Sequence, residues 1–176
     1  MTRVLYPGTF DPMTNGQLDI ALRAARLFDH LIIGVYAGPG RKFLFTVEER
    51  IHMVRQAIAH APNISVISYD SLTVECARRT GAQAIVRGLR VISDFEHEFQ
   101  MALMSRELAP DIDFVCLMTS IEHTYLSSSI VKEIALLGGD VSPFVPPHVV
   151  DALRRRLETL GKDGEDKVNV ISLKDG

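Results

Sequence analysis

The sequence carries no excess of cations, few cysteines and no long apolar run, and each shortage removes a class of function. Among 176 residues, 19 Lys and Arg stand against 22 Asp and Glu, a formal net charge of −3. Affinity for a nucleic-acid backbone comes from clustered cations. No nucleic-acid partner is therefore expected, and local basic clusters are to be read as sites for small anions. Cys76 and Cys116 are the only cysteines. One stands in a helix-like stretch and the other in an apolar run, which predicts two buried free thiols and neither a disulfide nor a metal pair. The six histidines show no His-Glu-x-x-His pattern and no Cys-x-x-Cys companion, so no metal held by the protein is expected. No stretch reaches the roughly 18 apolar residues that cross a bilayer, and the first residues lack the apolar segment of a signal peptide. A cytoplasmic protein with no membrane partner is the expectation. Missing too are the Gly-x-x-x-x-Gly-Lys-Ser phosphate loop and the Gly-x-Gly-x-x-Gly dinucleotide fingerprint.

What is present is an alternation of short apolar runs and helical periodicity. Val4 to Tyr6 reads as a strand, followed by a helix with the face Leu18, Ala21, Leu22 and Ala25. Leu31 to Tyr36 reads as a buried strand, and the helix after it carries Val47, Ile51, Val54 and Ile58 behind a Thr46 and Glu49 capping box. Ile64 to Ile67, Ala84 to Val86 and Phe114 to Met118 complete five strands. Between them fall a short helix, Leu72 to Arg79, ending near Gly81, and a helix placing Phe95, Phe99, Ala102 and Leu103 on one face. Ile130, Ile134 and Leu137 mark the next helix, stopped by Gly138 and Gly139. Pro147 starts a last helix bearing Val150, Leu153, Leu157 and Leu160, with Gly161 as its end. The pattern predicts an α/β fold: a doubly wound, parallel five-stranded sheet with helices on both faces. One domain over residues 1–161 is expected, with 162–176 a polar tail whose Val168 to Leu173 could form a late edge strand.

In such a sheet ligands bind outside the carboxyl ends of the strands, and four of the loops there carry anion-binding chemistry. The first, Tyr6-Pro-Gly-Thr-Phe-Asp-Pro-Met-Thr-Asn-Gly16-Gln17, brings glycines and prolines to a helix start, where free amides attract phosphate. The second offers Arg41 and Lys42 after Gly38-Pro-Gly. The fourth strand runs into Arg87-Gly88-Leu89-Arg90, two guanidinium forks astride a glycine. The fifth leads through His123-Thr-Tyr-Leu126 to Ser127-Ser128-Ser129, a run of hydroxyls of which N-capping explains one.

Taken together, Tyr-Pro-Gly-Thr-Phe-Asp-Pro-x-Thr-Asn-Gly, Phe-Thr-x-Glu-Glu-Arg, Arg-Gly-Leu-Arg, Asp-Phe-Glu-x-Glu-x-Gln, Ser-Ser-Ser-x-Val-Lys-Glu and Gly-Gly-Asp-Val resemble the bacterial phosphopantetheine adenylyltransferases, from about Val4 to about Leu160. The resemblance implies a Rossmann-like nucleotidyltransferase fold, a homohexamer, and adenylyl transfer from ATP to 4'-phosphopantetheine with Mg²⁺ held mainly through the ATP phosphates. It implies ATP contacts at Thr9, Phe10, Gln17, Gly88, Leu89, Arg90, Glu98, His123, Thr124, Tyr125, Leu126, Ser127, Ser128 and Ser129. Acceptor contacts are implied at Thr9, Arg41, Thr73 and Arg87. Gln17, Lys42 and Arg90 are the expected catalytic groups, although the family's helix-start histidine falls on Gln17 here. Arg41 stands for a usual lysine, Thr73 for a usual apolar residue and Ser105 for a usual asparagine. A neutral amide in place of a charged donor is expected to slow turnover about ten- to thirtyfold. Two alternatives stay open at this level: an adenylyltransferase for another phosphorylated acceptor, and a nucleotide- or coenzyme-binding protein with little turnover.

Overall fold

The computed structural model describes residues 1–40 and 42–162. The chain alternates strand and helix: β1 (Arg3–Gly8), α1 (Asn15–Leu27), β2 (His30–Tyr36), α2 (Val47–Ala57), β3 (Ile64–Tyr69), α3 (Thr73–Thr80), β4 (Ala84–Leu89), α4 (Ile92–Leu108) and β5 (Asp113–Met118). A 3-10 turn at Ile121–His123, α5 (Ser128–Leu136) and α6 (Pro147–Lys162) follow. As the alternation predicted, the strands form one five-stranded parallel sheet; its order is β3-β2-β1-β4-β5. Val4, Ile33, Val35 and Val86 point to one face and pack on Ile20 and Ala24 of α1 and Val54 of α2. Leu5, Ile32 and Ile85 point to the other and meet Val74 and Ala77 of α3 and Ala109 at the end of α4. Burial on both faces is why these strands read as continuous apolar runs.

The sheet is split at its centre. β1 pairs with β2 along its whole length, from Arg3↔His30 to Gly8↔Val35, and β4 pairs with β5 as far as Leu89↔Met118. β1 and β4 are paired only at Val4↔Ala84 and Leu5↔Ile85. Beyond that point their carboxyl ends diverge where the strand order reverses, and the loops that follow them border a crevice.

Several helix faces differ from expectation. In α1 the fully buried positions are Ile20, Ala21 and Ala24, with Leu18 and Ala25 half-buried at the flank. In α4, Phe95, Phe99 and Leu103 are 54%, 54% and 53% exposed, while Glu98 and Ser105 are the buried positions. The reason is that Glu98 meets Arg87, so the inner side of α4 is polar and the apolar residues are left outside. In α5, Val131 and Ala135 are buried, Ile134 packs half-buried beside them, and Ile130 and Leu137 are exposed. Val149 and Leu153 anchor α6, which runs past Gly161 to Lys162; a glycine weakens a helix by about 1 kcal/mol without having to end it. Gly81 (φ 70°) and Gly138 (φ 79°) do terminate α3 and α5 in the left-handed conformation. Cys76 is buried as expected, but Cys116 is exposed, because it lies on edge strand β5 on the face that α4 leaves partly uncovered. The suggested strand at Val168 to Leu173 lies outside the described residues.

Candidate active site

Where β1 and β4 part, a cavity of about 600 Å³ opens, with walls from three loop systems. The first wall is the loop from Thr9 to Gln17, and a buried polar hub fixes it. Arg50, 1% exposed, donates from Nη1 to the carbonyls of Thr9 and Tyr36, both at 2.7 Å, and from Nε to that of Phe45 at 3.2 Å. Asp11 accepts from the amides of Leu44 and Phe45, each at 2.9 Å, and from Lys132 Nζ at 3.1 Å. The loops after β1 and β2 and helix α5 are thereby tied to one point. Burial pushes the Arg50 guanidinium below its ordinary value, with Asp11 and Glu48 pulling it back. A buried charge persists only when so partnered.

The same loop ends in a reciprocal cap. Thr14, with extended backbone, accepts the Gln17 amide on its hydroxyl at 3.3 Å, and its own N–H donates to Gln17 Oε1 at 3.0 Å. Of the amides that begin α1, Asn15 N–H donates to the Phe144 carbonyl and Leu18 N–H to that of Thr14. Among the described residues, the Gly16 amide is the one in this turn left without a protein acceptor. Gly16 also needs its lack of a side chain, since a Cβ there would stand 3.2 Å from the His123 Cβ.

The second wall is β4 with α4. Arg87 makes a bidentate pair with Glu98, Nε to Oε2 at 2.8 Å and Nη2 to Oε1 at 2.5 Å, and its Nη1 reaches the Pro7 carbonyl at 3.2 Å across the gap between β4 and β1. Burial alone would lower this guanidinium's pKa, but the Glu98 carboxylate more than reverses it and holds it above the ordinary value. Arg90 pairs with Asp94 in the same fork geometry, at 2.9 and 3.1 Å, and donates from Nη1 to the Leu126 carbonyl at 3.0 Å. Burial raises the Asp94 carboxyl, yet its hydrogen bonds from Arg90 outweigh that and keep it below the usual carboxylate range. Beneath the two arginines Tyr6 is buried, and loss of its solvent holds its hydroxyl well above its ordinary pKa, so it stays neutral.

The third wall runs from Thr119 through His123 and Leu126 to Ser127 and Ser128. Ser127 caps α5 by accepting from the Ile130 amide at 3.2 Å, and the Ser128 hydroxyl donates to the Pro12 carbonyl at 2.8 Å. Cations, amide donors and hydroxyls thus converge on a crevice at a topological switch point, an arrangement suited to binding phosphates.

Comparison with known proteins places this arrangement. Residues 5–134 match the cytidylyltransferase-like family. The phosphopantetheine adenylyltransferase of Thermomicrobium roseum is 54% identical over 164 residues, 92% of this chain and 98% of that protein. Those of Herpetosiphon aurantiacus and Roseiflexus castenholzii are 54% and 52% identical, over 90% and 88% of this chain and 96% and 97% of theirs. The chain belongs to the phosphopantetheine adenylyltransferase family. A solved bifunctional NMN adenylyltransferase/ADP ribose pyrophosphatase from Francisella tularensis shares the fold with a TM-score of 0.71 at 12% identity, covering 97% of this chain and 52% of that one.

For this adenylyltransferase-family chain, the structure gathers most of the residues singled out from sequence. Thr9, Gln17, Thr73, Arg87, Gly88, Arg90, Glu98, His123, Leu126, Ser127 and Ser128 all line the cavity. Others stand apart from its wall: Phe10 is fully buried against Tyr6, Leu89 is buried, and Lys42, Tyr125 and Ser129 are exposed. Thr124 donates its hydroxyl to the Ile121 carbonyl. Arg41 lies outside the described residues. Two readings change in kind. Both arginines were taken as open forks, yet each is already engaged with a carboxylate of α4. Of the three serine hydroxyls, the first caps and the second anchors the first loop. Sequence reasoning passed over Thr14, Asp94 and the Asp11, Arg50 and Lys132 hub. Thr14 was detectable, because Thr14-Asn-Gly-Gln17 has the spacing of a capping box. Asp94 was detectable as well, four residues after Arg90 at a helix start.

Proposed function

We propose that this chain transfers the adenylyl group of ATP to 4'-phosphopantetheine, giving dephospho-coenzyme A and pyrophosphate. The observation that carries the reading is the pair of guanidinium groups, Arg87 and Arg90, on one wall of a cavity whose other walls supply the Gln17 amide and the Ser127 and Ser128 turn. A phosphate oxygen of the acceptor attacks the α-phosphorus of ATP in line, the bond from that phosphorus to the β-phosphate bridging oxygen breaks, and pyrophosphate leaves. No protein nucleophile is called for, so positioning and charge stabilisation supply the rate. Arg87, with Thr73 and Arg41, orients the acceptor phosphate. Arg90, Lys42 and the turn at Ser127 to Ser129 balance charge on the triphosphate, and Thr9 and Gln17 stand between the two phosphates. Glu98, His123 and the backbone of Gly88 and Leu89 face the nucleotide.

The arginine forks must exchange Glu98 and Asp94 for phosphate oxygens when substrates enter. Mg²⁺ would be held mainly through the ATP phosphates and would neutralise charge on the triphosphate. The residues fit a phosphate-borne ion better than a protein cage, because the two carboxylates on the cavity wall, Asp94 and Glu98, are each paired to an arginine. The exposed apolar side of α4, with Phe95, Phe99, Leu103 and Met104, supports burial between copies of the chain, and we assign it to a homohexamer. Light scattering that returns six chain masses bears this out, and a monomer mass refutes it. Among the described residues no helix is long and apolar enough to cross a membrane, and the cytoplasm, where ATP is available, is the compartment this chemistry needs. The test of function is product identity: with ATP and Mg²⁺, 4'-phosphopantetheine yields dephospho-coenzyme A while unphosphorylated pantetheine yields nothing. Equal turnover of both, or preference for another phosphorylated alcohol, contradicts the assignment.

A further inference from the structure

We infer that Gln17 acts as a one-directional donor, its amide locked with the nitrogen toward the cavity by the cap at Thr14. The inference rests on the adenylyltransferase reading and concerns how one side chain serves it. A free carboxamide is ambivalent, offering an oxygen that accepts and a nitrogen that donates. Here the choice is made by the backbone. The Thr14 N–H donates to one end of the amide at 3.0 Å, and an N–H can meet only the oxygen, so the nitrogen is necessarily the other end. The Thr14 hydroxyl accepts the Gln17 amide N–H at 3.3 Å and holds the first turn of α1 in register. Gln17 lines the cavity, and among the described residues no protein acceptor takes its Nε2–H. The Gly16 amide beside it is likewise without a protein acceptor, so the start of α1 presents two neighbouring N–H donors toward a place where anions fit. Thr14, itself 2% exposed, is thus a positioning residue.

This makes structure and chemistry separable at one position. Glutamate is the other residue that closes a capping box, and a carboxylate is favourable at a helix N-terminus. Gln17→Glu therefore keeps the cap while replacing the donor with an anionic acceptor. Gln17→Ala removes the donor and the half of the cap that Gln17 Oε1 supplies, keeping the backbone N–H bonded to Thr14. The expected result is an inverted order. Gln17→Glu melts at or above the wild-type temperature yet loses about a hundredfold or more in kcat, as loss of a preorganised donor does elsewhere. Gln17→Ala melts a few degrees lower and loses about a hundredfold in kcat, the low end for a lost donor, because it adds no repulsion. Thr14→Ser, which keeps the hydroxyl, retains kcat within about twofold, whereas Thr14→Val lowers kcat with little change in the KM for ATP. The inference is overturned if Gln17→Glu turns over like wild type, if it fails to fold or melts below Gln17→Ala, or if Thr14→Val leaves kcat untouched. Wild-type pyrophosphate release from ATP and 4'-phosphopantetheine is the control: its absence fails the adenylyltransferase reading, whatever the melting order.

Discussion

The two sides of the cavity are held by opposite means. On the β1 side, the loop that carries Thr9 and Gln17 hangs from buried groups: Arg50 on three carbonyls, Asp11 on two amides and Lys132. On the β4 side, Arg87 and Arg90 are held by carboxylates of α4, and their side chains are 32% and 36% exposed. Backbone carbonyls sealed from water have no other donor to turn to, whereas a half-exposed fork can trade one oxyanion for another. The first side is therefore a fixed frame and the second an exchangeable one. Under the proposed reaction, a site that takes up and releases two phosphorylated ligands uses both: the frame holds geometry, and the paired arginines stay satisfied until substrate oxygens replace Glu98 and Asp94.

Cutting the frame at its centre should have the largest effect. Arg50→Met strands the Thr9, Tyr36 and Phe45 carbonyls and is expected to cost about 3 to 5 kcal/mol, read as a large fall in the urea midpoint. If the loss is under 1 kcal/mol, the hub is not what holds the loop. Lys132→Met leaves the Asp11 carboxylate with its two amides but no directly bonded cation, and about 3 kcal/mol is expected by the same measurement. On the exchangeable side the ordering reverses, with function failing before stability. Arg90→Gln, whose partner Asp94 keeps 19% of its side chain exposed, should change stability by no more than about 1 kcal/mol while raising the KM for ATP roughly ten- to a hundredfold, the worth of a charged hydrogen bond to phosphate. Equal losses of stability on the two sides would erase the distinction drawn above. The smallest effect is one of pH. Asp94 titrates below its ordinary value in the folded chain, so its contribution is present above the unfolded carboxylate pKa, about 3.9, and disappears as pH falls through the lower folded value. Asp94→Asn should lower the melting temperature slightly at neutral pH and flatten its acid limb, the two proteins converging below about pH 4.

The contrast also explains what could be read from the chain. Strands buried on both faces announce themselves as Leu31 to Val35 does, and the Thr46 and Glu49 box is local, so both were legible and both are found. The loops at the strand ends were legible as the walls of a cavity because arginine, glycine and hydroxyls cluster there in sequence. The frame was not: Lys132 meets Asp11 across 121 residues, and no local pattern marks such a partner. Helix α4 misled for a physical reason. Its apolar period is genuine, but its neighbour in the fold is Arg87, and that cation turns the polar stripe inward. Gln17 was legible as a ligand group from its place at the helix start, while its second role depends on Thr14 three residues before it.

The most direct test of the central claim, that one cavity joins ATP to a phosphorylated acceptor, is pyrophosphate release by the unmodified protein supplied with ATP, Mg²⁺ and 4'-phosphopantetheine. The account predicts steady release matched mole for mole by dephospho-coenzyme A. A protein that binds ATP tightly under the same conditions yet releases no pyrophosphate would contradict it.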